Sequence, residues 1–120
     1  MTLQDCYAAL GGNYADVSAR LHSDRLVQKF LLKYLDDPSF QQLCTAMEEK
    51  DYELAFRAAH TIKGVCQNLS FTQLLDSSSQ LSDALRHGWT PEADPLLERV
   101  KADQMTVTAA IQSFREESEG

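Results

Sequence analysis

The run Ala59-His60-Thr61-Ile62-Lys63-Gly64 puts an imidazole, an ammonium and a glycine at positions i, i+3 and i+4, the spacing at which side chains share one face of a helix. Imidazole is mostly unprotonated at neutral pH, so one ring nitrogen keeps the lone pair needed to attack phosphorus. His60 is the candidate nucleophile, and the chemistry it could do is to carry a phosphoryl group. Lys63, one turn further, can bring an ammonium to the oxygens of that group, an electrostatic role that needs no proton transfer. Gly64 leaves room beside the imidazole for the phosphoryl group and for the backbone of a docking protein. A glycine inside a helix costs about 1 kcal/mol relative to alanine, so its presence needs a reason.

The helix that must position these groups can be read from its periodicity. At about 100° per residue, Leu54, Ala55, Ala58, Ala59, Ile62, Val65, Cys66 and Leu69 fall within an arc of roughly 140° and form its buried face. Phe56, His60, Lys63 and Gln67 lie on the opposite side, with Glu53, Arg57 and Gly64 adjoining, and His60 is about 170° from the centre of the apolar arc. His60 should therefore face water or a partner. The expected contact surface is Phe56, Arg57, His60, Lys63, Gly64 and Gln67, with Ser79 or Ser82 of the following helix near the ring.

Each residue also has a plainer reading. A lone histidine on a solvated face is ordinarily only a soluble side chain, and His22 and His87 are read that way. Lys63 alone could solvate the face, and Gly64 alone could relieve a tight helix crossing, although its azimuth points away from the core. Phe56 is either an edge-of-core aromatic or an exposed anchor beside the histidine.

The segment from Ala59 to Gly64, followed by Leu69, Leu74, Leu81 and Ala84, resembles the signature of histidine-containing phosphotransfer (HPt) domains over residues 51–88. The resemblance implies a bundle of about four helices and a place between aspartate-bearing receiver domains in two-component phosphorelays. It implies that His60 accepts the phosphoryl group, Lys63 steadies it and Gly64 admits the receiver. The expected partners are response-regulator receivers and a hybrid sensor histidine kinase, with Mg²⁺ supplied by the receiver and no cofactor in this chain. The sequence departs from the family where Ser70 follows Leu69, a place the family often gives to glycine.

Two other readings have the same residues. The chain could be the detached phosphoacceptor module of a chemotaxis-type histidine kinase, whose motif is similar. It could also be a non-catalytic helical scaffold, against which the intact Lys63 and Gly64 count. No Gly-rich phosphate loop of the P-loop or kinase kind is present, so neither ATP binding nor autokinase activity is expected. Serine-hydrolase elements are absent, and no carboxylate is spaced to orient His60 from its own helix. A metal site at His60 is disfavoured, because Cys66 projects to the core face.

Composition agrees. A chain of 120 residues, 43% apolar, forms one domain around a single core and is short for an enclosed enzyme cleft. Its net charge of −7 argues against nucleic acid or an anionic membrane as partner. Cys6, Cys44 and Cys66 have no Cys-x-x-Cys spacing, which indicates reduced thiols and no zinc site. Without a signal sequence or a long apolar run, the protein is expected to be cytoplasmic, and a monomer is the default. The initial Met1 and a full set of helices are read as a free-standing protein.

The elements are helical throughout, which gives an all-α fold: an antiparallel up-and-down four-helix bundle with one or two short leading helices. Thr2, with Asp5 three residues on, opens a first helix that Gly11-Gly12 stops. A second runs over 14–21. Together 1–21 form the leading part and 23–115 the bundle. Ser23 caps a third helix in which Leu26, Phe30, Leu31, Tyr34 and Leu35 recur at helical spacing. Asp37-Pro38 reads as an N-cap followed by proline at the first helical position, opening a helix to about residue 49. The histidine helix spans 51–69. Phe71, Leu74, Leu75, Ser78, Leu81 and Leu85 line the next, antiparallel to it and ended by Gly88. After Thr90-Pro91 a last helix presents Leu96 or Leu97, Val100, Met105 or Val107 and Ile111, with Pro95 delaying its regular part. The acidic segment 116–120 is expected to fray.

Overall fold

A computed structural model describes residues 1–119, in which seven α-helices follow one another: α1 (Leu3–Leu10), α2 (Tyr14–Leu21), α3 (Asp24–Lys33), α4 (Ser39–Glu48), α5 (Tyr52–Leu69), α6 (Thr72–Leu85) and α7 (Ala93–Glu119). A 3₁₀ turn, Tyr34–Asp36, links α3 to α4. The helix starts are set locally. The Thr2 hydroxyl accepts from the Asp5 amide and the Asp5 carboxylate from the Thr2 amide, both at 3.0 Å, a complete capping box that satisfies two N–H groups a helix start leaves unpaired. Asn13, Ser23 and Asp51 cap α2, α3 and α5 in the same sense through their side-chain oxygens. Gly11 ends α1 at φ 76°, a left-handed conformation that favours glycine, and a Cβ there would press on the Gln73 side chain.

Helices α4, α5, α6 and α7 form the four-helix bundle. In it α5 packs between α4 and α6, α6 packs on α7, and the short leading helix α1 covers α7. At about 1.5 Å per residue the 27 residues of α7 span the 42 Å long axis of the molecule. Ala55, Ala58 and Ala59 give α5 a low-relief buried face that lets its neighbours approach closely. Ile62, Leu74, Leu81, Leu85, Val107 and Ile111 fill the space between.

Several expectations are corrected in detail. In α3 the core contact is made by Val27, while Leu26 is 39% exposed; one position of rotation was enough to exchange them. Leu54, at the edge of the apolar arc and in the first turn of α5, is 41% exposed. Helix α4 starts one residue later than Asp37-Pro38 implies. Pro38 occupies the cap position, and Asp37 Oδ1 instead accepts from the Ser39 amide at 2.8 Å. Pro95 does not delay α7, because it falls in the first turn, where its missing N–H has no intrahelical acceptor to lose. Of the alternatives in α7, Val107 is buried and Met105 is 71% exposed. Helix α6 ends at Leu85, and Gly88 (φ 108°) lies in the loop beyond. Residues 116–119, expected to fray, continue α7 as helix, and the Met1 ammonium pairs with Glu117 at 3.0 Å. Gly120 lies outside the described residues.

Candidate functional site

α5 is fixed at both ends before it presents anything. Asp51 caps its start. Its exit turns through Ser70, a non-glycine residue at φ 58°, ψ 41°, a conformation that costs an L residue roughly 1–2 kcal/mol. Hydrogen bonds offset that cost. The Ser70 hydroxyl donates to Asp16 Oδ2 at 2.7 Å and accepts from Arg20 Nη1 at 2.8 Å. The Asn13 amide donates to the Ser70 carbonyl at 2.9 Å and the buried Tyr7 hydroxyl to the Leu69 carbonyl at 2.8 Å. Arg20 also donates to the Asn68 carbonyl at 3.0 Å, placing a cation where the helix end leaves carbonyls unpaired. The serine that departs from the family's usual glycine is thus accommodated by α1 and α2.

On this braced helix His60 is exposed and Lys63 is half-buried one turn away. Among the described residues, neither ring nitrogen of His60 has a hydrogen-bond partner and Lys63 has no ion-pair partner. The other cations of this region are already paired: Arg57 with Glu53, Arg86 with Asp83 and Arg20 with Asp16. A Cβ built on Gly64 would meet nothing within 4 Å, so the glycine is not there to relieve a crossing inside this chain. Gln67 is exposed on the same face and lines, with Gly64, Asp16, Arg20 and Ser70, a shallow groove toward α2.

On the other side of the histidine lies a second groove, walled by Phe56, Arg57 and His60 of α5 and by Leu85, Arg86 and Gly88 at the end of α6. The meeting of the start of α5 with the end of α6 follows from their antiparallel packing. Phe56 is half-buried and does both things open to it. One side joins the core, while its ring stands 6.0 Å from the His60 ring at 68° and carries the Arg86 guanidinium 5.4 Å from its centroid. The serines expected near the ring do not line this groove. Ser82 is 1% exposed and out of reach of a docked partner, and Ser79 is half-buried on another part of α6. Helix α6 packs on both α5 and α7, and Ser82 lies on its buried side. Arg86 takes their place in the groove. Sequence reasoning passed over it, although a cation in the closing turn of the helix antiparallel to α5 is the signal that could have found it.

Two of the thiols are closed off in the core. Cys6 and Cys66 are fully buried, and burial pushes the Cys6 thiol up to about 11 and that of Cys66 further still. No helix among the described residues is long and apolar enough to cross a membrane.

Among the described residues, the four-helix bundle thus presents His60 without a hydrogen-bond partner and Lys63 without an ion-pair partner on an exposed face between two open grooves, a site accessible to another molecule. The family model described as Hpt domain matches residues 25–117, more than half of the chain, and the protein belongs to that family. It is thereby a histidine phosphotransfer module of phosphorelay signalling, a kind that works with receiver domains and kinases. Comparison with curated proteins and with solved structures found no match.

Proposed function

We propose that His60 is the phosphoacceptor of a phosphorelay intermediate, which takes a phosphoryl group from a receiver-domain aspartate and passes it to another receiver. The observation that carries this reading is the exposed, unpartnered imidazole of His60 between Lys63 and the open space above Gly64. In the transfer, the distal nitrogen Nε2, which projects furthest from the helix, attacks the phosphorus of the aspartyl phosphate in line. The N–P bond forms as the acyl P–O bond breaks, and the aspartate leaves as carboxylate. The proton on Nδ1 stays in place, so no general base is required. Lys63 offsets the charge of the arriving oxygens, and Gly64, together with Phe56, Arg57 and Gln67, admits and seats the receiver. The receiver brings its own Mg²⁺, and a hybrid sensor kinase stands upstream. The protein then needs no nucleotide site of its own and works as a cytoplasmic monomer.

The test is intact-mass measurement after mixing the protein with a phosphorylated receiver domain and Mg²⁺, alongside His60→Gln. An acid-labile adduct of one phosphoryl mass on the wild type only is the expected result. Failure of every receiver in a panel to load the wild type would favour the kinase-module or scaffold reading instead.

A further inference from the structure

Arg86 has an ordinary explanation available: a cation at the C-cap of a helix interacts favourably with its unpaired carbonyls. Its side chain does something else. It leaves the axis of α6, crosses to α5 and lies over the Phe56 ring, whose edge-on neighbour is His60. Asp83, exposed three residues earlier on α6, accepts from the same guanidinium at 3.0 Å. Both side chains of that pair are half or more exposed, so the pair is weak and exchangeable, whereas the stack on Phe56 fixes where the charge sits.

We propose that Arg86 is a specificity-determining residue of the docking surface, which exchanges Asp83 for an acidic side chain of the incoming receiver. The inference rests on the phosphotransfer reading above. A partner that delivers phosphate with bound Mg²⁺ must hold the ion with carboxylates, so the face it brings to His60 carries acidic side chains around the metal. Lys63 is on hand for the phosphoryl oxygens. Arg86 stands one aromatic ring further out, on the groove wall, where it meets the rim of the partner rather than the transferring group. Arg57 is likewise paired on its own helix, with Glu53 at i,i+4, but among the described residues it has no aromatic ring beneath it of the kind that holds Arg86 over Phe56. Phe56 acts as a positioning residue: its ring lies beneath the Arg86 guanidinium and edge-on to the His60 ring, joining the two.

The experiment measures initial rates of phosphoryl uptake as a function of receiver concentration, at low and high salt. The probe is the phosphorylated receiver that loads the wild type fastest, and the proteins are wild type, Arg86→Gln, Arg86→Lys and Asp83→Asn. Arg86→Gln should raise KM about 5- to 20-fold at low salt with kcat within about twofold, and the difference should shrink at high salt, as for a rim charge. Arg86→Lys, which keeps the charge but loses the planar stack, should fall between. Asp83→Asn, which frees the guanidinium, should lower KM. The proposal is overturned by an Arg86→Gln KM equal to wild type at both salt concentrations, by a loss in kcat alone, or by a rise in KM for Asp83→Asn, which would mark the pair as structural. Should Arg86→Gln lose helix content, the other two variants still decide. A wild type that takes up no phosphate sinks the phosphotransfer reading itself, an outcome distinct from a wild type that loads and an Arg86→Gln that matches it.

Discussion

Ser70 and Asp16 are joined by a 2.7 Å hydrogen bond across 54 residues of chain, which ties the exit of the histidine helix to α2. The bond holds a non-glycine residue in a left-handed conformation at the one turn that sets how α5 and α6 meet.

The strain and the bond at Ser70 oppose each other, and two substitutions separate them. Ser70→Ala keeps the left-handed strain and loses the bond, so it should destabilise the fold. Ser70→Gly loses the bond but relieves about 1 kcal/mol of strain, so it should melt roughly 4 °C above Ser70→Ala and close to the wild type. Thermal unfolding of the three proteins checks the order. An alanine variant as stable as the glycine variant would contradict it.

The same link has a pH signature. The Ser70 hydroxyl, and after it the Arg20 guanidinium, hold the Asp16 carboxyl below the usual carboxylate range. A carboxylate whose pKa is depressed by folding adds stability that is complete above its unfolded value and is lost as pH falls through the folded one. The latch should therefore be insensitive to pH near neutrality and weaken only in acid, below about pH 4. Carboxyl NMR titration should place Asp16 below an ordinary aspartate in the wild type and move it upward in Ser70→Ala. An unchanged midpoint would show that the hydroxyl is not the cause.

Gly64 can be tested by making the protein more stable. Nothing lies near a Cβ at this position, so Gly64→Ala should gain helix propensity of about 1 kcal/mol, or roughly 4 °C in melting temperature. Phosphoryl uptake from a receiver should nevertheless slow at least tenfold, about 1.4 kcal/mol in the transfer barrier, because the methyl group stands where the partner's backbone would pass. A variant that melts higher and loads as fast as the wild type would remove Gly64 from the docking surface.

Features that depend on a few neighbouring residues were legible in the sequence. The caps at Thr2 and Ser23, the stop at Gly11 and the outward azimuth of His60 all follow from short-range rules, and α2 and α5 match their expected spans. What was not legible depends on which neighbour covers a helix, and for how far along it. Leu26 and Val27 differ by one step of azimuth, and only the packed bundle chooses between them. Leu54 belongs to the apolar arc by angle but sits in the first turn of α5. Ser82 was placed near the ring from its helix alone, whereas the packed bundle buries it and leaves Arg86 on the groove. Phe56 admitted two readings because half-buried rings satisfy both, and the structure uses both sides of it.

The family likeness begins at residue 25, yet the Tyr7 hydroxyl, the Asn13 amide, Asp16 and Arg20 all bind the last turn of α5 from before that point, and α1 lies along α7 with Cys6 Sγ 3.7 Å from the Ala110 carbonyl. A protein trimmed to the likeness would therefore strip the lining from one side of its own bundle and release the far end of the histidine helix. The contacts that hold the histidine helix in place thus reach beyond the matched residues.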